Sequence, residues 1–241
     1  MASDLPPRLP PVDPAAARRV APTTMTPEVL AALLVEGDDE LAAWALRSAL
    51  AERSRAEVFD GLLREAMALV GARWCEGRWS VADEHLASQA VIRTLDRIRR
   101  PTTPESRVGP LAVLAGVAGE QHVIGLACLD LVLADAGWAV AAMGGDLPAA
   151  DLARFVAASE VDLVALAASL PERANAVREA VAAVRVAAAA HQPRILLGGA
   201  LAADGTLATE LQLDFAADSL VAAERYARAL AAGIEGERPA G

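Results

Sequence analysis

Residues 111–136 read LAVLAGVAGEQHVIGLACLDLVLADA. The run 111–117 is apolar, of strand length, and ends at Gly119. The stretch 123–136 is apolar too but long enough for a helix. The same pairing recurs downstream. A second run at 138–143 precedes helix-like 149–159, and a third at 161–166 precedes 171–190. A fourth, 195–197, ends at Gly198-Gly199, and a short fifth at 215–217 precedes a helix over 220–231. Strand–helix alternation at this spacing predicts a five-stranded parallel sheet with helices on both faces, a Rossmann-like (flavodoxin-like) domain over 110–235. In such a sheet ligands sit beyond the carboxyl ends of the strands, which directs attention to the loop Gly119-Glu120-Gln121-His122-Val123-Ile124-Gly125.

Upstream the periodicity is helical from residue 25 to 100. Thr26-Pro27-Glu28 reads as an N-cap, a proline at the first helical position and an early acid, opening a helix that stops at Gly37. Asp38 or Asp39 caps a second helix carrying Leu41, Trp44, Ala45 and Leu46. Val58, Leu62, Met67 and Leu69 lie along a third that ends near Trp74. Ser80 and Asp83 form a capping-box pattern for a fourth, which carries Val91, Leu95 and Ile98. Four helices with short links predict a small four-helix bundle, so the fold class is α followed by α/β. Residues 1–24 carry six prolines and read as a disordered tail; 101–109 (PTTPESRVG) read as a linker.

The bulk numbers narrow the function. A net charge of −10 and a pI near 4.8 repel a phosphate backbone, so no direct nucleic-acid binding is expected. No apolar run of membrane-spanning length and no signal-peptide pattern is visible. Two cysteines, Cys75 and Cys128, make no disulfide framework, and the expected compartment is the reducing cytoplasm. No hydrolytic triad, P-loop or zinc-type Cys/His cluster points to an independent enzyme.

His122 stands at the crevice mouth, just before a helix. A neutral imidazole there serves as a metal ligand or an acid–base group, and Glu120, two residues earlier, can orient its other nitrogen. A plain surface-loop histidine is the alternative. Gly125, inside the first helical turn, costs about 1 kcal/mol relative to alanine, a cost that makes sense where something bulky passes close to the backbone.

Glu120-x-His122-x-x-Gly125 resembles the motif D-x-H-x-x-G of the cobalamin-binding domain family. That family's later S-x-L and G-G elements fall, by their spacing, on Ala167-Ala168-Ser169 and Gly198-Gly199. The resemblance implies a vitamin B12 corrinoid bound with His122 as the lower axial ligand of cobalt. Glu120 would hydrogen-bond the distal imidazole nitrogen, and Gln121, Val123, Ile124, Gly125, Ala167 and Ser169 would line the cofactor. Gly198 and Gly199 would lack side chains because the nucleotide tail lies against their backbone. Glu120 is longer than the family's usual Asp. Ala167 replaces the usual serine and Ser169 the usual leucine.

In the helical half, Trp74, Glu84 and His85 form W-x9-E-H, with Ser88 following. This is similar to the bundle signature of light-responsive, cobalamin-dependent transcription regulators. The similarity implies that these four residues cover the upper axial face, where an adenosyl group would sit. Some light-sensing relatives carry, after the tryptophan, a histidine that captures cobalt. Here Cys75 stands in that place, and a thiolate is a competent soft ligand. Adenosylcobalamin is thus the favoured cofactor form, with methylcobalamin as the alternative.

Residues 1–24 are too few and too proline-rich for a helix-turn-helix domain. The expectation is therefore a stand-alone photosensor acting on a protein partner, a separate transcription regulator. A methyl-carrying corrinoid protein of a methyltransferase system is the alternative, and an adenosylcobalamin-dependent mutase subunit a third. Oligomeric state is left open.

Overall fold

The computed structural model describes residues 25–99, 109–188, 191–203 and 205–237, in two compact units divided between residues 100 and 101. The tail expected over 1–24 and, Gly109 apart, the linker expected over 101–109 lie outside the described residues.

In the first unit every helix except Arg64–Cys75 starts on a side-chain cap. Thr26 accepts from the Val29 N–H and Pro27 follows at the first position, opening α1 (Pro27–Glu36). Gly37, at φ +76, ends it, and the Gly37 and Asp38 N–H groups return to the Leu34 and Leu33 carbonyls. Asp38 Oδ1 accepts from the Leu41 N–H at 2.9 Å and opens α2 (Asp39–Ala49). A Ser54–Glu57 capping box opens α3 (Arg55–Val58), and the reciprocal Ser80–Asp83 box opens α5 (Val81–Ile98). Between them, α3 continues through a π-helical turn, Phe59–Leu63, into α4 (Arg64–Cys75).

The π turn departs from the uninterrupted third helix expected from periodicity. Its wider winding carries Phe59, Leu62 and Leu63 all into the core, while Met67 and Leu69 beyond it are only half-buried. Leu30, Leu33, Leu34, Leu46, Phe59, Leu63 and Leu95 fill the interior. Ala31, Ala42, Ala43, Ala87 and Ala90 are fully buried as well. These alanines let α1 pack on α4 and α5, and α2 on α5, with little side-chain bulk between them. Each large apolar side chain so buried contributes ~1.5–3 kcal/mol.

The second unit is a doubly wound sheet. Its strands are β1 (Leu111–Gly116), β2 (Ala139–Ala142), β3 (Leu163–Ala167), β4 (Arg194–Gly198) and β5 (Phe215–Ala216). They pair in parallel in the order β2-β1-β3-β4-β5. The connecting helices are α6 (Ile124–Asp135), α7 (Ala149–Ala158), α8 (Ala174–Ala187), α9 (Thr206–Glu210) and α10 (Leu220–Glu237).

Alternate residues face opposite layers, as strand geometry requires. Val113, Ala115, Val164, Leu166, Ile195 and Leu197 pack with Leu152 and Val156 of α7 and Val177, Val181 and Val184 of α8. Ala112, Leu114, Leu163, Ala165 and Leu196 pack with Leu126, Leu129 and Leu133 of α6 and Ala223, Ala227 and Ala231 of α10. Trp138 precedes β2 instead of starting it. The indole is buried and its N–H donates to the Ala227 carbonyl. Pro171–Arg173 is a 3-10 turn ahead of α8, and a second such turn, Ala200–Ala202, with α9 fills the β4–β5 connection. Elements this short leave no periodic trace. Among the described residues no helix is long and apolar enough to cross a membrane.

Register sets Gly116, Ala167 and Gly198 side by side at the carboxyl edge. Gly199 follows at φ +87, where a Cβ would fall 2.4 Å from the Ala168 carbonyl oxygen. Its lack of a side chain is therefore already demanded by the chain itself. At Gly198 a Cβ would meet only the Leu166 oxygen, at 3.9 Å. Gly199→Ala should lower the unfolding free energy of the ligand-free protein by at least about 1–3 kcal/mol, while Gly198→Ala leaves it nearly unchanged. Urea denaturation of the two variants checks the contrast.

Candidate functional site

The sheet order reverses direction between β1 and β3, so the loops after these two strands part and leave a crevice. The loop after β1 is held from the β2 side. Val117 bridges Leu147, the Gly116 N–H donates to the Gly144 carbonyl, and the Leu147 N–H returns to Gly116. Asp146, at φ +55, then makes two bonds: its Oδ1 accepts from the Gly119 N–H at 2.6 Å and its N–H donates to the Glu120 carbonyl at 2.9 Å. Gly145 permits this closeness, since a Cβ there would lie 2.4 Å from the Glu120 carbonyl oxygen.

Glu120 turns its side chain inward and is 1% exposed, whereas the His122 ring is 63% exposed. Oε1 of Glu120 accepts from the His122 backbone N–H at 2.8 Å and meets its Nδ1 at 2.5 Å. Oε2 accepts from the Ser169 N–H at 2.5 Å, in the loop after β3. Burial by itself would raise this carboxyl's pKa. The His122 backbone and ring bonds and the Ser169 N–H outweigh it and hold the group below its ordinary value. Nδ1 is thereby committed as a donor to a carboxylate, and the lone pair of Nε2 points outward without a partner among the described residues.

Glu120 thus bridges both loops, and its extra methylene relative to Asp does not prevent the contact. Ser169 contributes its backbone N–H here, not its hydroxyl. Ala167 packs with the layer facing α6 and α10. Gln121 is exposed, while Val123 and Ile124 are half-buried. Gly125 is exposed, and a Cβ there would meet nothing within 4 Å, so the chain's own packing does not require its glycine.

These features fit a corrinoid. Among the described residues no three His, Cys, Asp or Glu side chains cluster to cage a metal ion. One outward imidazole nitrogen instead suits a metal that arrives with its equatorial ligands already bound. The bare Cβ positions at Gly125 and Gly198 leave room for a large group against the backbone.

In the helical unit, Glu84 accepts from Ser88 Oγ through Oε1 and meets His85 Nδ1 through Oε2, each at 2.7 Å. Trp74, in the last turn of α4, is 45% exposed, and Cys75 beside it is exposed with a free thiol. Two residues near the β1 loop went unread in the sequence: Asp146, and Arg173 of the Pro171–Arg173 turn, whose guanidinium lies over Gly119. The adjoining Gly144-Gly145 was the available signal for Asp146. Arg173 meets Gly119 only through the fold, so no local pattern announces it.

Residues 28–99 and residues 110–230 each match a family described as B12 binding domain, and the chain belongs to that family as a cobalamin-binding protein. It is 33% identical over 147 residues to the HTH-type transcriptional repressor CarH of Myxococcus xanthus, an alignment covering 61% of this chain and 48% of that protein. To the repressor CarA of the same organism it is 35% identical over 123 residues, covering 50% and 41%. The chain therefore spans about half the length of these curated relatives. Its fold is similar to the monomethylamine corrinoid protein of Methanosarcina barkeri, with a TM-score of 0.67, 17% identity, and coverage of 83% of this chain and 96% of that one.

The lowered Glu120 pKa has a signed consequence for stability. Its contribution to stability is complete above the ordinary carboxylate range and is lost as pH falls through the lower folded-state value. Unfolding free energies of the ligand-free protein, followed from neutral to acid pH, should therefore fall more steeply for the wild type than for Glu120→Gln. Parallel profiles would show that folding leaves this carboxyl's pKa unchanged, and a shallower fall for the wild type would show that it is protonated in the fold.

Proposed function

We propose that this chain is a cobalamin photosensor that signals in the cytoplasm to a protein partner, a separate transcription regulator. The observation that carries the reading is the buried Glu120 holding His122 with Nε2 turned out at the crevice. Bound adenosylcobalamin supplies a cobalt–carbon bond that light can break. His122 would hold the cobalt through Nε2, and Glu120 would set the basicity of that imidazole. Gly125 and Gly198 leave the backbone open to the corrinoid, and Gln121, Val123, Ile124, Ala167, Ser169 and Gly199 line it.

Within the helical unit, Trp74 would offer an apolar ring to an adenosyl group and exclude water. Glu84, fixed between Ser88 and His85, would keep lone pairs for ribose hydroxyls. Without such contacts the helices carrying these residues would be free to repack. Similarity to the CarH and CarA repressors supports the regulatory reading. The acidic surface directs the output to a protein and not to DNA.

Protein reconstituted with adenosylcobalamin in darkness should change its absorption spectrum and its oligomeric state or partner affinity after green light. His122→Ala should bind the cofactor at least about tenfold more weakly and with altered colour. No uptake by the wild type, or undiminished binding by the variant, overturns the proposal; a preference for methylcobalamin with no response to light transfers it to a methyl-carrier role. We assign the exposed Cys75 thiol as a further group that would hold cobalt. An illuminated Cys75→Ser spectrum identical to wild type removes that assignment.

A further inference from the structure

Arg173 closes the 3-10 turn Pro171–Arg173, four residues after Ser169 on the loop that Glu120 ties to the histidine loop. Its guanidinium lies close over Gly119: a Cβ there would fall 2.4 Å from Nη1 and 2.8 Å from Cζ. Gly119 stands at φ +79, so both its backbone and the space above it are reserved for glycine. The half-buried Arg173 has its Nε fully shielded from solvent and without a hydrogen-bond partner. Among the described residues no hydrogen bond or ion pair of the guanidinium is found. The nearby Asp146 carboxylate bonds the Gly119 N–H instead. In a chain of net charge −10, a cation brought to the crevice edge with its Nε shielded and unbonded calls for a partner. A shielded donor with no acceptor is destabilising, and the arrangement persists at the one place where a ligand rich in oxygen acceptors is expected.

We infer that Arg173 is a corrinoid-contacting residue whose guanidinium donates to an oxygen acceptor of the bound cofactor. The inference rests on the cobalamin reading of His122. Two groups of a cobalamin offer such oxygens: the carboxamides around the corrin rim and the phosphodiester of the nucleotide tail. Cobinamide keeps the first and lacks the second, so it separates them.

The experiment compares wild type, Arg173→Gln and Arg173→Lys by absorption titration in darkness with adenosylcobalamin and with dicyanocobinamide, alongside urea unfolding of each ligand-free protein. Because the guanidinium makes no hydrogen bond in the ligand-free fold, Arg173→Gln should unfold at the wild-type midpoint. Its affinity for adenosylcobalamin should fall by on the order of tenfold or more, with partial recovery in the lysine variant. Loss confined to adenosylcobalamin identifies the phosphodiester; equal loss with cobinamide identifies the rim carboxamides. Unchanged affinity for both corrinoids, or a drop in ligand-free stability as large as the drop in binding, overturns the inference. Failure of the wild type to take up either corrinoid sinks the cobalamin reading itself, a result distinct from both.

Discussion

A single buried carboxylate organises the crevice. Glu120 is almost fully shielded from water and survives there as an anion because three N–H groups converge on it, two from His122 and one from Ser169. Remove those donors and desolvation would drive the group to protonate. Remove the carboxylate and the imidazole loses the contact that selects its tautomer, while the loops after β1 and β3 lose their common anchor. The chemistry offered to a metal and the geometry of the sheet's carboxyl edge therefore rest on the same atoms. Asp146 plays the complementary part from the other side, holding the loop's backbone where Glu120 holds its side chain.

The helical unit repeats the device in a more open setting. His85 leans on Glu84 through Nδ1, as His122 leans on Glu120, but here both members are accessible and Ser88 supplies the second donor. An exposed pair of this kind contributes little to stability. Its effect is to hold the Glu84 carboxylate in one orientation.

Much of this was legible in the chain before any coordinates. Five apolar runs at regular spacing announced the parallel sheet, and Ser80 with Asp83 announced the last helix of the bundle, because strand length and capping are local properties. Glu120 and His122 were legible as a pair because they are two residues apart. The π turn at Phe59–Leu63 was not, since one extra residue in a helical winding leaves the apolar pattern nearly intact. Nor was Arg173, whose meeting with Gly119 is made by the crossover from β1 to β3 and not by sequence proximity. Nor was the constraint at Gly199 legible, since the atom that excludes a side chain there belongs to Ala168, on the neighbouring strand's loop.

The glycines of this edge divide by what forbids a side chain. At 199 the obstacle is the protein's own carbonyl, while at 125 and 198 the space is empty of protein. A descendant that abandoned its cofactor would be free to drift at 125 and 198 yet would stay locked at 199. The pattern of replacements among such descendants would then date the loss of the ligand separately from any loss of the fold.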